Sequence, residues 1–136
     1  MFSVRFFVSE ILIIDDDPQF HFITERRLKA ENIKKEYRGY MDSVEALEDL
    51  MRKYFKSEML PEIILLDLNM PVLSGWSFLD FINNMKGIEG AEPSVYIVSS
   101  SVDPEDKKRA ALYSCVKGFF SKPITSKEFQ LMKLDE

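Results

Sequence analysis

Three apolar runs of four residues, each stopped by a polar cluster, constrain this chain more than any other feature. Ile11-Leu12-Ile13-Ile14 runs into Asp15-Asp16-Asp17-Pro18, Ile63-Ile64-Leu65-Leu66 into Asp67-Leu68-Asn69-Met70-Pro71, and Val95-Tyr96-Ile97-Val98 into Ser99-Ser100-Ser101. A shorter stretch, Gly118-Phe119-Phe120-Ser121, ends in Lys122-Pro123. A strand that is apolar at every position is covered on both faces, the condition of parallel strands flanked by helices. In an open parallel α/β sheet the carboxyl ends of the strands line one crevice. The carboxylates, hydroxyl and ammonium that follow these runs are therefore expected to converge on a single acidic pocket.

Between the runs lie amphipathic stretches, which gives five βα units in all. Asp17 can cap helix one and Pro18 suits its first position, where a missing N–H has no intrahelical partner to lose. That helix is expected to reach about Glu31, with Phe20, Ile23 and Leu28 on its inner stripe. Strand two, roughly Lys34 to Tyr40, is poor in apolar residues, as an edge strand would be. Helix two should begin near Ser43, with Val44, Leu47, Leu50 and Met51 at helical spacing, and run to about Phe55. Helix three follows Gly75 with Phe78, Leu79 and Ile82 inward, and residues 87–93 read as a loop. Asp103-Pro104-Glu105-Asp106 opens helix four with a cap, a first-turn proline and acids suited to the positive end of the helix. A short last helix starts near Ser126, where Phe129 and Met132 or Leu134 would dock.

A chain of 136 residues is long enough for one cored domain, and no second domain is expected. Residues 1–9 read as an N-terminal extension, an extra strand or an irregular segment, and residues 10–136 as the domain proper. The apolar start is too short for a membrane span and is broken by Arg5. A net charge of −5 argues against general nucleic-acid or membrane binding. The lone Cys115 excludes an intrachain disulfide, fits a reducing cytoplasm, and is expected to be a small buried residue. Trp76 and the scattered methionines read as packing residues.

If Asp15, Asp16 and Asp67 meet, their mutual repulsion asks for a cation. An all-oxygen set without clustered histidine or cysteine favours magnesium or calcium, and few protein ligands plus waters favour magnesium. The backbone carbonyl of Asn69, in the loop leaving the strand, is a further possible ligand. A carboxylate can also be a nucleophile toward phosphorus. Phosphoryl transfer depends on positioning and on neutralising the phosphoryl oxygens, for which a metal, Lys122 and the Ser99 hydroxyl are the available groups. Taken singly, a strand-end aspartate is usually a turn or cap and a Lys-Pro usually surface. The reading rests on all of them falling at strand ends.

In these segments the chain resembles the receiver domain of bacterial two-component response regulators, over about residues 10 to 132. The matching stretches are ILIIDDDP, IILLDLNMP followed by SGW, YIVSSSVDPED and GFFSKPI, in the family's order. The resemblance implies a doubly wound, flavodoxin-like five-stranded parallel sheet of strand order 2-1-3-4-5. It implies Asp67 as phosphoacceptor and Asp15 and Asp16 as the acidic pair that holds Mg2+, with Mn2+ as a substitute. By the same resemblance Asn69 gives its backbone carbonyl to the metal, Ser99 is the switch hydroxyl, Phe119 the aromatic that changes rotamer, and Lys122 the phosphoryl contact. The Lys122-Pro123 peptide would be cis. Serine in place of the commoner threonine at 99 keeps the hydroxyl; phenylalanine in place of tyrosine at 119 removes a phenolic hydrogen bond.

The implied function is a switch that accepts a phosphoryl group from a histidine kinase or histidine phosphotransfer protein. Its readout is a changed affinity for a downstream protein through the helix 4–strand 5–helix 5 face, which an early end to helix five would reduce, or onward phosphorelay. Phe22, off the buried stripe of helix one, is a candidate docking contact for the phosphodonor, and His21 is expected on the surface. Two other classes compete. One is a pseudo-receiver, a phosphorylation-independent interaction domain, against which the intact Asp15, Asp16, Asp67, Ser99 and Lys122 argue. The other is a phosphohydrolase, which would want a second carboxylate two residues beyond the nucleophile where Asn69 stands.

Overall fold

The computed structural model describes residues 7–85, 92–101, 103–132 and 134. Strands and helices alternate strictly: β1 (Phe7–Ile14), α1 (Pro18–Ala30), β2 (Glu36–Tyr40), α2 (Ser43–Phe55), β3 (Leu60–Leu66), α3 (Gly75–Asn83), β4 (Ser94–Ser99), α4 (Pro104–Ala110), β5 (Val116–Ser121) and α5 (Ser126–Leu131). The strands form one sheet in the order β2-β1-β3-β4-β5. Every neighbouring pair is parallel. This is the flavodoxin-like arrangement that the resemblance implied, with polar β2 at the edge that its low apolar content suggested.

The side-chain alternation of the strands divides the core in two. Leu12, Ile14, Ile64, Leu66, Val95 and Ile97 pack on one face with Leu50 of α2, Phe78, Leu79 and Ile82 of α3, and Ala110 of α4. Ile11, Ile13, Ile63, Leu65 and Val98 pack on the other with Phe20 and Leu28 of α1 and with Phe129, Met132 and Leu134 at the C-terminal end. Ile11, Ile13, Ile14, Ile64, Leu65 and Leu66 have no exposed surface, and burying each stabilises the fold by roughly 1.5–3 kcal/mol. Continuous apolar runs are what a sheet with two covered faces demands. Cys115 is buried in the first cluster, and burial pushes its thiol up to about 11.

Side-chain caps start the helices. The Asp17 carboxylate accepts the Gln19 N–H ahead of Pro18, and Asp42 accepts from Val44 and Glu45. Asp103 accepts from Glu105 ahead of Pro104, and Thr125 and Glu128 form a reciprocal capping box on α5. Each such cap is worth about 1 kcal/mol.

Some expectations are corrected. Ile23 is 49% exposed and so lies off the inner stripe of α1, whose buried positions are Phe20, His21, Thr24 and Leu28. His21 is buried, not on the surface. In α2 the buried positions are Ser43, Ala46 and Leu50, Leu47 packs half-buried against the same core, and Met51 is exposed. Strand two begins at Glu36, two residues after Lys34. Phe7 to Ser9 belong to β1, which pairs Phe7 with Leu60 and Val8 with Pro61 before an irregularity between Val8 and Ile11 resets the register. Residues 1–6 of the expected extension, and most of the expected 87–93 loop, lie outside the described residues.

Candidate functional site

The sheet register brings the strand ends level. Ile14 pairs with Tyr40 on one side and Leu66 on the other, Leu66 with Ile97, and Ser99 with Ser121. The parallel ladder then continues one residue beyond the strands: Asp15 N–H donates to the Tyr40 carbonyl (3.1 Å), Asp67 N–H to Ile14 (3.0 Å) and Lys122 N–H to Ser99 (2.9 Å). Asp15, Asp67 and Lys122 are thus fixed by the sheet and not by loops. Behind Asp67, Gly75 opens α3 with its N–H on the Leu68 carbonyl at 2.9 Å. A Cβ there would strike the Asp67 carbonyl oxygen and lie 2.8 Å from Leu68 Cα, so the helix can start this close to the strand end only at glycine.

Carboxylate oxygens of Asp15, Asp16 and Asp67 all lie within 4.8 Å of one another. Asp15 is fully buried and Asp67 nearly so, while Asp16 faces solvent. One Asp15 oxygen accepts the Asp17 N–H at 2.9 Å; the other faces Lys122 Nζ at 2.7 Å. Among the described residues, Asp67 Oδ1 receives only a long contact, 3.4 Å, from the Asn69 N–H. Burial first, then the Asp15 charge, pushes the Asp67 carboxyl up to about 6, against the pull of Lys122. Burial likewise raises Asp15, opposed by the hydrogen bonds from Lys122 and Asp17. Lys122 is held over the Phe20 ring, its Nζ 4.8 Å from the centroid, and its peptide bond to Pro123 is cis.

The donor set fits a hard dication. Three carboxylates against one ammonium leave two negative charges in a largely buried space, which one divalent ion neutralises.

The remaining expected residues surround this centre. Ser99 is fully buried at the end of β4, its Oγ accepting the Ser101 N–H at 3.0 Å. Ser101 in turn donates its hydroxyl to Asp106 on α4 at 2.6 Å. Phe119 is half-buried and packs against the cluster on the α2–α4 side, next to Ile97 in register. Phe22 is 58% exposed on α1 with the Arg26 guanidinium 5.5 Å from its ring centroid. Trp76 packs beneath Arg109, 4.0 Å away, and stacks on Tyr113. Beside the acidic centre, and sharing Asp17 and Lys122 with it, a groove of about 430 Å³ runs between α1 and the start of α5, lined by Phe20, Ile23, Pro123, Ile124 and Phe129. Sequence reasoning missed this groove, because placing Ile23 inward removes its floor. It also missed His21, whose Nε2 lies 2.6 Å from the Asp15 carbonyl oxygen.

An acidic, lysine-bearing crevice at the carboxyl ends of a 2-1-3-4-5 parallel sheet defines a doubly wound module whose chemistry sits at the strand tips. The chain belongs to the response regulator receiver domain family, whose sequence pattern matches residues 11–133. Among solved structures it is similar to a two-component response regulator from Cytophaga hutchinsonii, at 27% identity and a TM-score of 0.76, covering 92% of this chain and 95% of that one. It is also similar to the bacteriophytochrome response regulator RtBRR, at 25% identity and a TM-score of 0.75, covering 93% and 76%. The chemotaxis protein CheY4 of Vibrio cholerae, at 19% identity, a TM-score of 0.69 and coverage of 92% and 97%, shares the fold. No curated protein sequence matches the chain. No helix among the described residues is long and apolar enough to cross a membrane.

Proposed function

We propose that this receiver domain accepts a phosphoryl group on Asp67 in a magnesium-dependent reaction and uses it to change partner binding. The observation that carries the reading is the Asp15–Asp16–Asp67 cluster with Lys122 as its only close cation among the described residues. The Asp15, Asp16 and Asp67 carboxylates and the Asn69 carbonyl would hold Mg2+, or Mn2+ in its place; when bound, it would neutralise charge on the phosphoryl oxygens.

Asp67 is predominantly ionised above neutral pH, since its carboxyl titrates near 6, and its less hydrogen-bonded oxygen is the nucleophile. That oxygen forms a bond to phosphorus as the P–N bond of a phosphohistidine breaks; the imidazole nitrogen keeps the electron pair and takes up a proton. Lys122 turns from Asp15 toward the phosphoryl group. Ser99 already uses its oxygen as acceptor for Ser101, so its hydroxyl proton is the donor a phosphoryl oxygen takes. As Ser99 moves, Phe119 turns into the space released and reshapes the α4–β5–α5 face, where the downstream protein binds. The added charge of about two units drives the change. We place the phosphodonor, a histidine kinase or histidine phosphotransfer protein, on α1: Ile23 and its groove open directly onto Lys122, and Phe22 flanks them. Such a module is cytoplasmic, binds no nucleic acid directly, and is a switch, not a turnover enzyme.

Intact mass after incubation with acetyl phosphate and magnesium tests the reading. A single phosphoryl adduct that requires magnesium and disappears in Asp67→Ala supports it. An unlabelled parent that binds no magnesium overturns it in favour of the phosphorylation-independent interaction domain.

A further inference from the structure

Asp15 is anchored from more sides than its neighbours, and one anchor comes from an unexpected element. Its N–H is taken by the Tyr40 carbonyl of β2, and its side chain by Asp17 N–H and Lys122. Its carbonyl faces His21 Nε2 at 2.6 Å from one turn into α1. A carbonyl oxygen only accepts, so Nε2 carries the proton and donates. The ring is buried, 8% exposed, with its Nδ1 edge turned toward β2. At that point β2 has Gly39, paired with Ile13, and a Cβ at 39 would overlap the imidazole. Gly39 and His21 are therefore a matched pair: the strand gives up a side chain so that the helix can place a donor beneath the strand-to-helix turn.

We propose that His21 is a positioning residue for the cation site, holding the peptide that follows Asp15 so that Asp15 and Asp16 face Asp67. The role rests on the magnesium-dependent reading above, and the residue touches neither cation nor phosphoryl group. Asp16 is exposed, and its placement follows from the peptide plane that His21 fixes. Without that donor the buried Asp15 carbonyl has to find another partner, and the turn shifts to supply one. Groups one step out from metal ligands change metal affinity by about tenfold or more when removed.

The test is a magnesium titration by calorimetry on the full chain as parent, His21→Gln, His21→Leu and Gly39→Ala, with thermal melts of each. The Gln side-chain amide nitrogen can reach where Nε2 stands, so Gln and Leu both lose the ring but only Leu loses the donor. His21→Leu and Gly39→Ala are expected to weaken magnesium binding about tenfold, and His21→Gln to stay within about threefold of the parent. Magnesium affinity in His21→Leu equal to the parent's, or His21→Gln as weak as His21→Leu, overturns the role of His21 alone. A parent that binds no magnesium overturns the site reading itself.

Discussion

The Lys122 ammonium lies 2.7 Å from Asp15 Oδ2 and makes no ion pair with Asp67 among the described residues. The lysine that would serve the phosphoryl group is, in the unmodified chain, the counter-charge of a metal-site carboxylate. It therefore competes with a cation for Asp15. Lys122→Ala is expected to bind magnesium about threefold to tenfold more tightly than the parent at pH 8, because a like charge has left the site. Calorimetric titration measures this, and weaker binding in the variant would show that the ammonium instead holds the carboxylate in its ligating pose.

The Asp67 carboxyl gives a pH signature. Its ordinary value of 3.8 is pushed up to about 6 by burial and by Asp15. Below pH 3.8 folded and unfolded chains both hold the proton and the buried group costs nothing. Between 3.8 and 6 the unfolded chain ionises first, and above 6 the full penalty, on the order of 1–3 kcal/mol, is present. Without magnesium, Asp67→Asn should therefore be more stable than the parent by that amount at pH 8, with the gap closing as pH falls toward 4. Urea unfolding across pH measures it. Added magnesium should narrow the gap at pH 8 by stabilising only the parent.

Three strand tips were legible because they follow continuous apolar runs, and such runs leave little choice of register or face. The caps at Asp17 and Asp103 and the glycine at 75 were equally local signals. What sequence did not reveal depends on partners distant in the chain. Ile23 and His21 are two positions apart on α1, and hydrophobicity alone puts the isoleucine inside. The histidine wins that face because a backbone carbonyl at Asp15 and an empty place at Gly39 await it. The extent of β1 escaped for a similar reason: Phe7 to Ser9 join the sheet through Leu60 and Pro61, across an irregularity that breaks the alternation.

Val72, just past Pro71, has φ of 70° with its side chain 88% exposed. A β-branched residue in the left-handed region is strained, and here no packing offsets it. The turn is instead held by Ser43, whose hydroxyl donates to the Pro71 carbonyl (3.0 Å) and accepts the Leu73 N–H (3.3 Å). Val72→Gly is expected to stabilise the fold by about 1 kcal/mol, the relief of strain outweighing the extra freedom of the unfolded chain. Chemical denaturation measures the gain, and a loss would mean that the exposed valine makes contacts that stabilise the turn.

The groove beside α1 separates two routes of labelling. Ile23→Glu places a charge in its apolar floor without touching Asp67 or its ligands. Transfer from a phosphorylated histidine donor should slow by about tenfold or more, equivalent to ~1.4 kcal/mol of docking energy, while acetyl phosphate labelling stays within about twofold. Equal slowing of both routes would place Ile23 in the chemistry and not in docking.

Phe119 and Phe120 are adjacent on β5 yet belong to different halves of the molecule, Phe119 to the core shared with α2, α3 and α4, Phe120 to the core shared with α1 and α5. On the proposed reading the donor meets the second half while the aromatic switch works in the first, with the buried central strands β1, β3 and β4 between them. The two tasks then meet only at α5, which borders the donor groove and also belongs to the α4–β5–α5 face. Substitutions that retune which donor is heard need not alter what is said to the target, and a lineage can rewire one end of its signalling while leaving the other intact.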